Sequence, residues 1–207
     1  MKIIFFCLSL MLSLIIFSQN TFTDTRDGKE YKTVTIGNQI WMTENLAFKA
    51  DSGCLTYYKN TDSIGKYGYY YSWKTALNVC PQGWHLPSAV NYQTLIDTLT
   101  NNGNDAYRAL LPNGKSGFNA YLLGNYLDSL TLDNKDYFAG YWTASTIYLP
   151  DYINDEKLKN IESVKNDTTM AWVLNMVRIF KYAQLEFCGK ESYNFVRCVR
   201  TDIHTNE

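Results

Sequence analysis

The chain has 207 residues with 19 basic and 20 acidic side chains, a formal charge of −1, and its Lys and Arg are scattered among the acids. It therefore lacks the basic excess or stripe that marks a nucleic-acid binder. With 46% hydrophobic residues, it is long enough for one domain that buries most of its apolar surface.

The first residues place Lys2 before an uninterrupted apolar run from Ile3 to Phe17, followed by small and polar residues. That pattern predicts a secretory signal peptide over residues 1–18, cleaved after Ser18. The run falls short of the roughly 20 apolar residues of a membrane span, so the mature product is expected to be exported without a stable span. Loss of Lys2 leaves 18 basic against 20 acidic side chains. Residues 19–207 are read as a single domain, since they show no internal repeat and no linker. Cys7 leaves with the leader, and Cys54, Cys80, Cys188 and Cys198 remain. An even count in an exported chain predicts two disulfides with three possible pairings. Zinc is not expected, because the chain has no Cys-x-x-Cys and His85 and His204 lie far apart.

In chain order, Tyr31 to Ile36 and Gln39 to Met42 alternate around Gly37-Asn38, a two-residue hairpin signal. Val34, Ile36, Ile40 and Met42 are assigned to one core-facing side. Ala47 to Gly65 reads as a loop carrying Cys54, interrupted by Leu55 to Tyr58. Tyr67 to Tyr71 is strand-prone. The spacing of Trp73, Ala76, Leu77 and Cys80 then predicts a helical face, stopped at Pro81. Ser88 is a plausible N-cap of a second helix, whose buried face is Tyr92, Leu95, Ile96 and Leu99. Thr100 to Asp136 reads as long loops. Phe138 to Thr146, Met170 to Phe180 and Phe195 to Val199 read as strands, with a solvated excursion over Asp151 to Thr169.

Four segments, DGKEYKTVTIGNQIWMTENL, YGYYYSWKTALNVCPQGWHLPS, GYWTAST and FVRCVRT, together resemble the Fibrobacter succinogenes major paralogous domain, found in exported proteins of Bacteroidetes and their relatives. The resemblance spans about Asp24 to Thr201. It implies an α+β, C-type lectin-like fold: two helices packed on short antiparallel strands, with a long loop region. It also implies a Cys80–Cys198 bridge, and leaves Cys54 to pair with Cys188. The calcium-dependent lectin motifs Glu-Pro-Asn, Gln-Pro-Asp and Trp-Asn-Asp are missing. Their nearest equivalent, Trp142-Thr143-Ala144, offers no carboxylate, so no metal or cofactor is expected.

Candidate chemistry is sparse. Glu44, Asp51, Asp97, Asp128, Asp133 and Asp136 could serve glycan hydrolysis only if two of them faced each other. His85 has no evident triad partner. Cys188 is the residue that a cysteine-dependent oxidase of related fold would use. Asp24 to Gly28 and Asp133 to Asp136 suit turns better than calcium loops. Trp73, Trp142 and Tyr67 to Tyr71 suit a core better than a sugar platform. The sequence thus predicts an exported binding module, periplasmic, cell-surface or extracellular, that takes a glycan or a surface protein on loops between Thr100 and Thr169. Catalytic residues are not expected. The alternatives are an exported enzyme and a structural envelope component.

Overall fold

The computed structural model describes residues 20–103, 105–127, 132–133, 136–146 and 169–201. The leader, His204, Asp128 and most of the Asp151 to Thr169 excursion lie outside the described residues.

Two sheets dominate. The smaller has the order β1 (Asn20–Thr23), β2 (Glu30–Ile36), β3 (Gln39–Met42) and β12 (Val199–Thr201). The larger runs β10 (Tyr182–Gly189), β9 (Met170–Val177), β8 (Phe138–Thr146), β11 (Tyr193–Phe195), β5 (Tyr69–Ser72) and β4 (Cys54–Thr56). Two short strands, β6 (Asn125–Tyr126) and β7 (Leu132–Asp133), extend it beside β11. The pairing of β11 with β8 is parallel and the other pairings of the larger sheet are antiparallel.

This architecture corrects the expected lectin-like arrangement of two helices on short strands. The described residues are mostly β, and among them only α3 (Ala89–Asn101) exceeds two helical turns. The others are α1 (Ile64–Tyr67), α2 (Trp73–Ala76) and α4 (Ala106–Leu110). Helix α2 is the clearest departure. Ser72 caps it by accepting a hydrogen bond from the Thr75 amide, and the helix ends after a single turn. Leu77, assigned to its buried face, is 38% exposed. The region from Thr100 to Asp136 likewise holds α4, β6 and β7 where long loops were expected. Helix α3 follows the sequence closely. Ser88 and Asn91 exchange hydrogen bonds in a capping box, and Tyr92, Leu95 and Leu99 are buried.

Strands β3, β5, β8 and β9 are buried on both faces over most of their length, which explains the unbroken aromatic run of β5. One core gathers Trp41, Tyr70, Tyr92, Phe118, Tyr141, Leu174 and Phe195. A second gathers Tyr31, Ile40, Met42, Tyr69, Tyr71, Trp84, Trp142 and Val173. Successive strand residues point to opposite faces, so Tyr70 enters the first core while Tyr69 and Tyr71 enter the second. Tyr141 and Trp142 divide in the same way. The β2–β3 hairpin forms around Gly37-Asn38, with Ile36 opposite Gln39 and Val34 opposite Trp41. That register puts Val34 and Ile36 on one face but Ile40 and Met42 on the other, which corrects their assignment to a single side.

Buried tyrosine hydroxyls hold the irregular segments. Tyr71 donates to Phe48 O at 2.6 Å, Tyr70 to Leu123 O at 2.8 Å, and Tyr126 to Thr56 O at 3.1 Å. Tyr31 accepts from the Ala47 amide at 3.0 Å. Each ring fills a core while its polar end bonds a peptide group of a loop or, for Tyr126, of the end of β4.

Candidate binding surface

The residues singled out from sequence are dispersed. Cys80 and Cys198 form a disulfide that joins positions 118 residues apart. The expected second bridge is not formed: Cys54 and Cys188 carry free thiols. Cys54 lies on β4 and Cys188 on β10, with β9, β8, β11 and β5 between them in the hydrogen-bonded order. Burial raises both thiols above their ordinary pKa, despite hydrogen bonds that lower it at each. Reactive thiols need the opposite shift, so neither has the setting of an oxidase nucleophile.

His85 has an exposed side chain, and its peptide bridges Val199 through two hydrogen bonds of 3.0 Å. Glu44 is paired with Lys29 at 2.9 Å, and Asp97 accepts from Gln93 on α3 at 2.9 Å. Trp142 is fully buried and donates to Tyr71 O, whereas Trp73 is half-buried beneath Lys190 and donates to Thr143 O. Among the described residues, no three or more His, Cys, Asp or Glu side chains gather to hold a metal ion.

Asp24 is buried and spends both carboxylate oxygens on Arg26, at 2.9 Å to Nε and 2.6 Å to Nη2. The segment is a turn: the Gly28 amide donates to Asp24 O, and Gly28 has φ of 76°. Arg26 also caps Val79 O at 2.9 Å and lies 3.8 Å above the Phe48 ring. Burial pushes the Asp24 carboxyl up, but its hydrogen bonds and charge interaction with Arg26 outweigh burial and hold it below the ordinary range. A depressed carboxyl contributes stability above its unfolded pKa, near 3.9, and that contribution is lost as pH falls through the lower folded value. Urea unfolding from pH 7 to pH 2 should show this loss. D24N should cost about 2 kcal/mol at pH 7 and flatten that part of the profile; an unchanged profile would refute the assignment.

Next to Arg26 opens a shallow cleft of about 450 Å³, lined among others by Phe48, Asp51, Ser52, Lys74 and Asn78. Its one aromatic ring is already covered by Arg26, so it offers no free stacking face on that side.

Aromatic rings converge elsewhere. After β4, Tyr58 and Lys59 adopt left-handed backbone, with φ of 50° and 54°. This conformation costs a non-glycine residue about 1 kcal/mol or more. The turn is held from below by Ser63 Oγ, which donates to Asn60 O, and by Asn60 Oδ1, which accepts from the Asp62 amide. Helix α1 then brings Tyr67 back over Tyr57. At Gly68, φ is 71° and a Cβ would stand 2.6 Å from Leu46 O, so only glycine fits between outward Tyr67 and inward Tyr69.

The ring centroids form a chain: Tyr58 to Tyr57 at 4.7 Å, Tyr57 to Tyr67 at 5.2 Å, and Tyr67 to Tyr121 at 5.5 Å, all edge-to-face. Lys66 Nζ lies 4.8 Å from the Tyr67 ring and 5.9 Å from the Tyr121 ring. The neighbouring Tyr67 hydroxyl raises the Lys66 pKa, so the ammonium stays charged. Tyr58 is 56% exposed, and Tyr57, Tyr67 and Tyr121 are half-buried. This is an aromatic surface with a cation beside it. Of its four tyrosines only Tyr121 falls within the loops first expected to bind. Sequence reading set Leu55 to Tyr58 apart from the polar loop around it, but it had no signal for the left-handed turn that gathers the rings.

These elements define a disulfide-tied, mostly-β domain with a solvent-facing tyrosine surface. A family model described as the Fibrobacter succinogenes major domain matches residues 34–200, and the chain belongs to that family. No curated protein and no solved structure matches it.

Proposed function

We propose that the chain is an exported, non-enzymatic binding module and that its ligand is a glycan held on the tyrosine surface. The observation that carries this reading is the chain of partly exposed rings Tyr58, Tyr57, Tyr67 and Tyr121 with Lys66 beside it. The axial C–H face of a pyranose packs on a flat ring, while phenol hydroxyls and an ammonium serve the sugar hydroxyls. The strained backbone at Tyr58 and Lys59 supports the reading, because left-handed non-glycine residues cluster at ligand sites. Export is supported by the apolar leader pattern and by a disulfide, which persists in oxidising compartments.

The test is a glycan array followed by calorimetric titration of the best hit. The Tyr58→Ala/Tyr121→Ala double variant should weaken binding about tenfold or more, the scale of one or two lost stacking contacts. The Tyr58→Ala single variant, which removes a ring that is 56% exposed, should weaken binding with little change in urea midpoint. Absence of any glycan hit, or full affinity in the double variant, would refute the proposal.

A further inference from the structure

The β9–β10 hairpin carries a second surface that glycan binding does not use. Its strands pair in continuous register from Met170 opposite Gly189 to Val177 opposite Tyr182, which leaves Arg178-Ile179-Phe180-Lys181 as the turn. Turns of this kind favour Gly, Asn, Asp, Ser or Pro for backbone reasons, and none is present, although Lys181 sits at φ of 53°. Instead Ile179 is 66% exposed and Phe180 is 68% exposed. The Phe180 ring lies parallel to Tyr182, at 3° and 5.9 Å. Tyr137, 57% exposed, is adjacent, because Arg178 N donates to Tyr137 O at 2.8 Å.

The charges at this tip are of one sign on the turn itself: Arg178 and Lys181 are both exposed and flank the apolar pair. The acid on the neighbouring strand, Glu186, is turned into hydrogen bonds with Asn175, Tyr182 and Gln184. Asp136 is the nearby acid on the adjoining segment, and its backbone carbonyl faces Arg178 Nη1 at 3.5 Å. A protruding Ile-Phe pair, ringed by two cations and two tyrosines, has the chemistry of an element that dips into the headgroup region of a bilayer. Its cations complement anionic lipid, whereas the chain as a whole has a formal charge of −1 and is not drawn there by bulk charge.

We infer that the Arg178–Lys181 hairpin tip is a reversible docking element for an anionic lipid surface. One short apolar tip with two cations gives weak attachment, since stable anchoring takes more than one such signal.

The test uses the full mature chain and vesicles of phosphatidylcholine with or without phosphatidylglycerol. A Phe180→Trp reporter should shift its emission to the blue with anionic vesicles and not with neutral ones. Ile179→Ser/Phe180→Ser should lower co-sedimentation with anionic vesicles about tenfold, and R178E/K181E should do the same by charge, both with an unchanged urea midpoint. An unshifted reporter, or equal sedimentation of the Ile179→Ser/Phe180→Ser variant, would overturn the inference. So would a concentration-dependent dimer that the same variant abolishes, since the tip would then be a contact between copies.

Discussion

Replacing Arg197 with alanine is expected to cost about 4 kcal/mol of folding stability, read as a lower urea midpoint at unchanged slope. Arg197 is fully buried. Its guanidinium donates to Phe118 O, to Met42 O at 3.2 Å, to Asn45 Oδ1 at 2.5 Å and to Asn119 O at 3.5 Å. All four acceptors are neutral oxygens, and the charge is further met by the faces of Phe118 and Tyr141, at 4.4 and 5.5 Å. Burial lowers its pKa, yet a guanidinium remains charged. Alanine would strand these oxygens without donors and open a cavity beneath two aromatic rings. Arg197→Lys should recover only part of the loss, because an ammonium cannot reproduce the planar fork. The effect should reach the tyrosine surface, since residues 118 and 119 lead directly into Tyr121. A loss below about 1 kcal/mol, the scale of a single ordinary hydrogen bond, would refute this role.

Removing the disulfide with Cys80→Ala/Cys198→Ala should cost about 5 kcal/mol, the loop-entropy estimate for a closure of this length. The bridge spans 118 residues, and it works beside the paired His85 and Val199 peptides. Together they fix residues 80–86 against β12, with Trp84 packed on Phe22 at 5.2 Å. Unfolding in urea with and without reductant checks the prediction. Equal midpoints for native and variant protein would show that the unfolded chain is not constrained by the bridge.

The hairpin at Gly37-Asn38, the stop at Pro81 and the cap at Ser88 could be read from sequence because each depends on one or two residues and local backbone chemistry. Phe138 to Thr146 was likewise visible from its branched and aromatic run. The second core was not. Tyr69, Tyr70 and Tyr71 look alike in sequence, and only the two-sided burial of β5 explains three consecutive rings. Strand β10 went unread because its residues are mostly half-exposed and alternate weakly. Residues 195–199 looked like one strand, yet the chain leaves the larger sheet after Phe195 and joins the smaller at Val199. Arg197 occupies the crossing, and a lone arginine between apolar residues gives no hint that four distant oxygens await it. The tyrosine surface was hidden for the same reason: Tyr57 and Tyr121 are brought together by long-range contacts.

The placement of β11 and β12 makes the end of the described chain the part that joins the rest. Among the described residues, β11 is the strand that pairs with both the β10-β9-β8 half and the β5-β4 half of the larger sheet, and β12 closes the smaller sheet against β3. Arg197 and Cys198 lie between them. Without residues 193–201 the halves of the larger sheet lack the strand that pairs with both, the smaller sheet lacks β12, and Cys80 lacks its partner. Completion of both sheets thus depends on one nine-residue segment, residues 193–201, which also carries Arg197 and the cysteine that Cys80 pairs with.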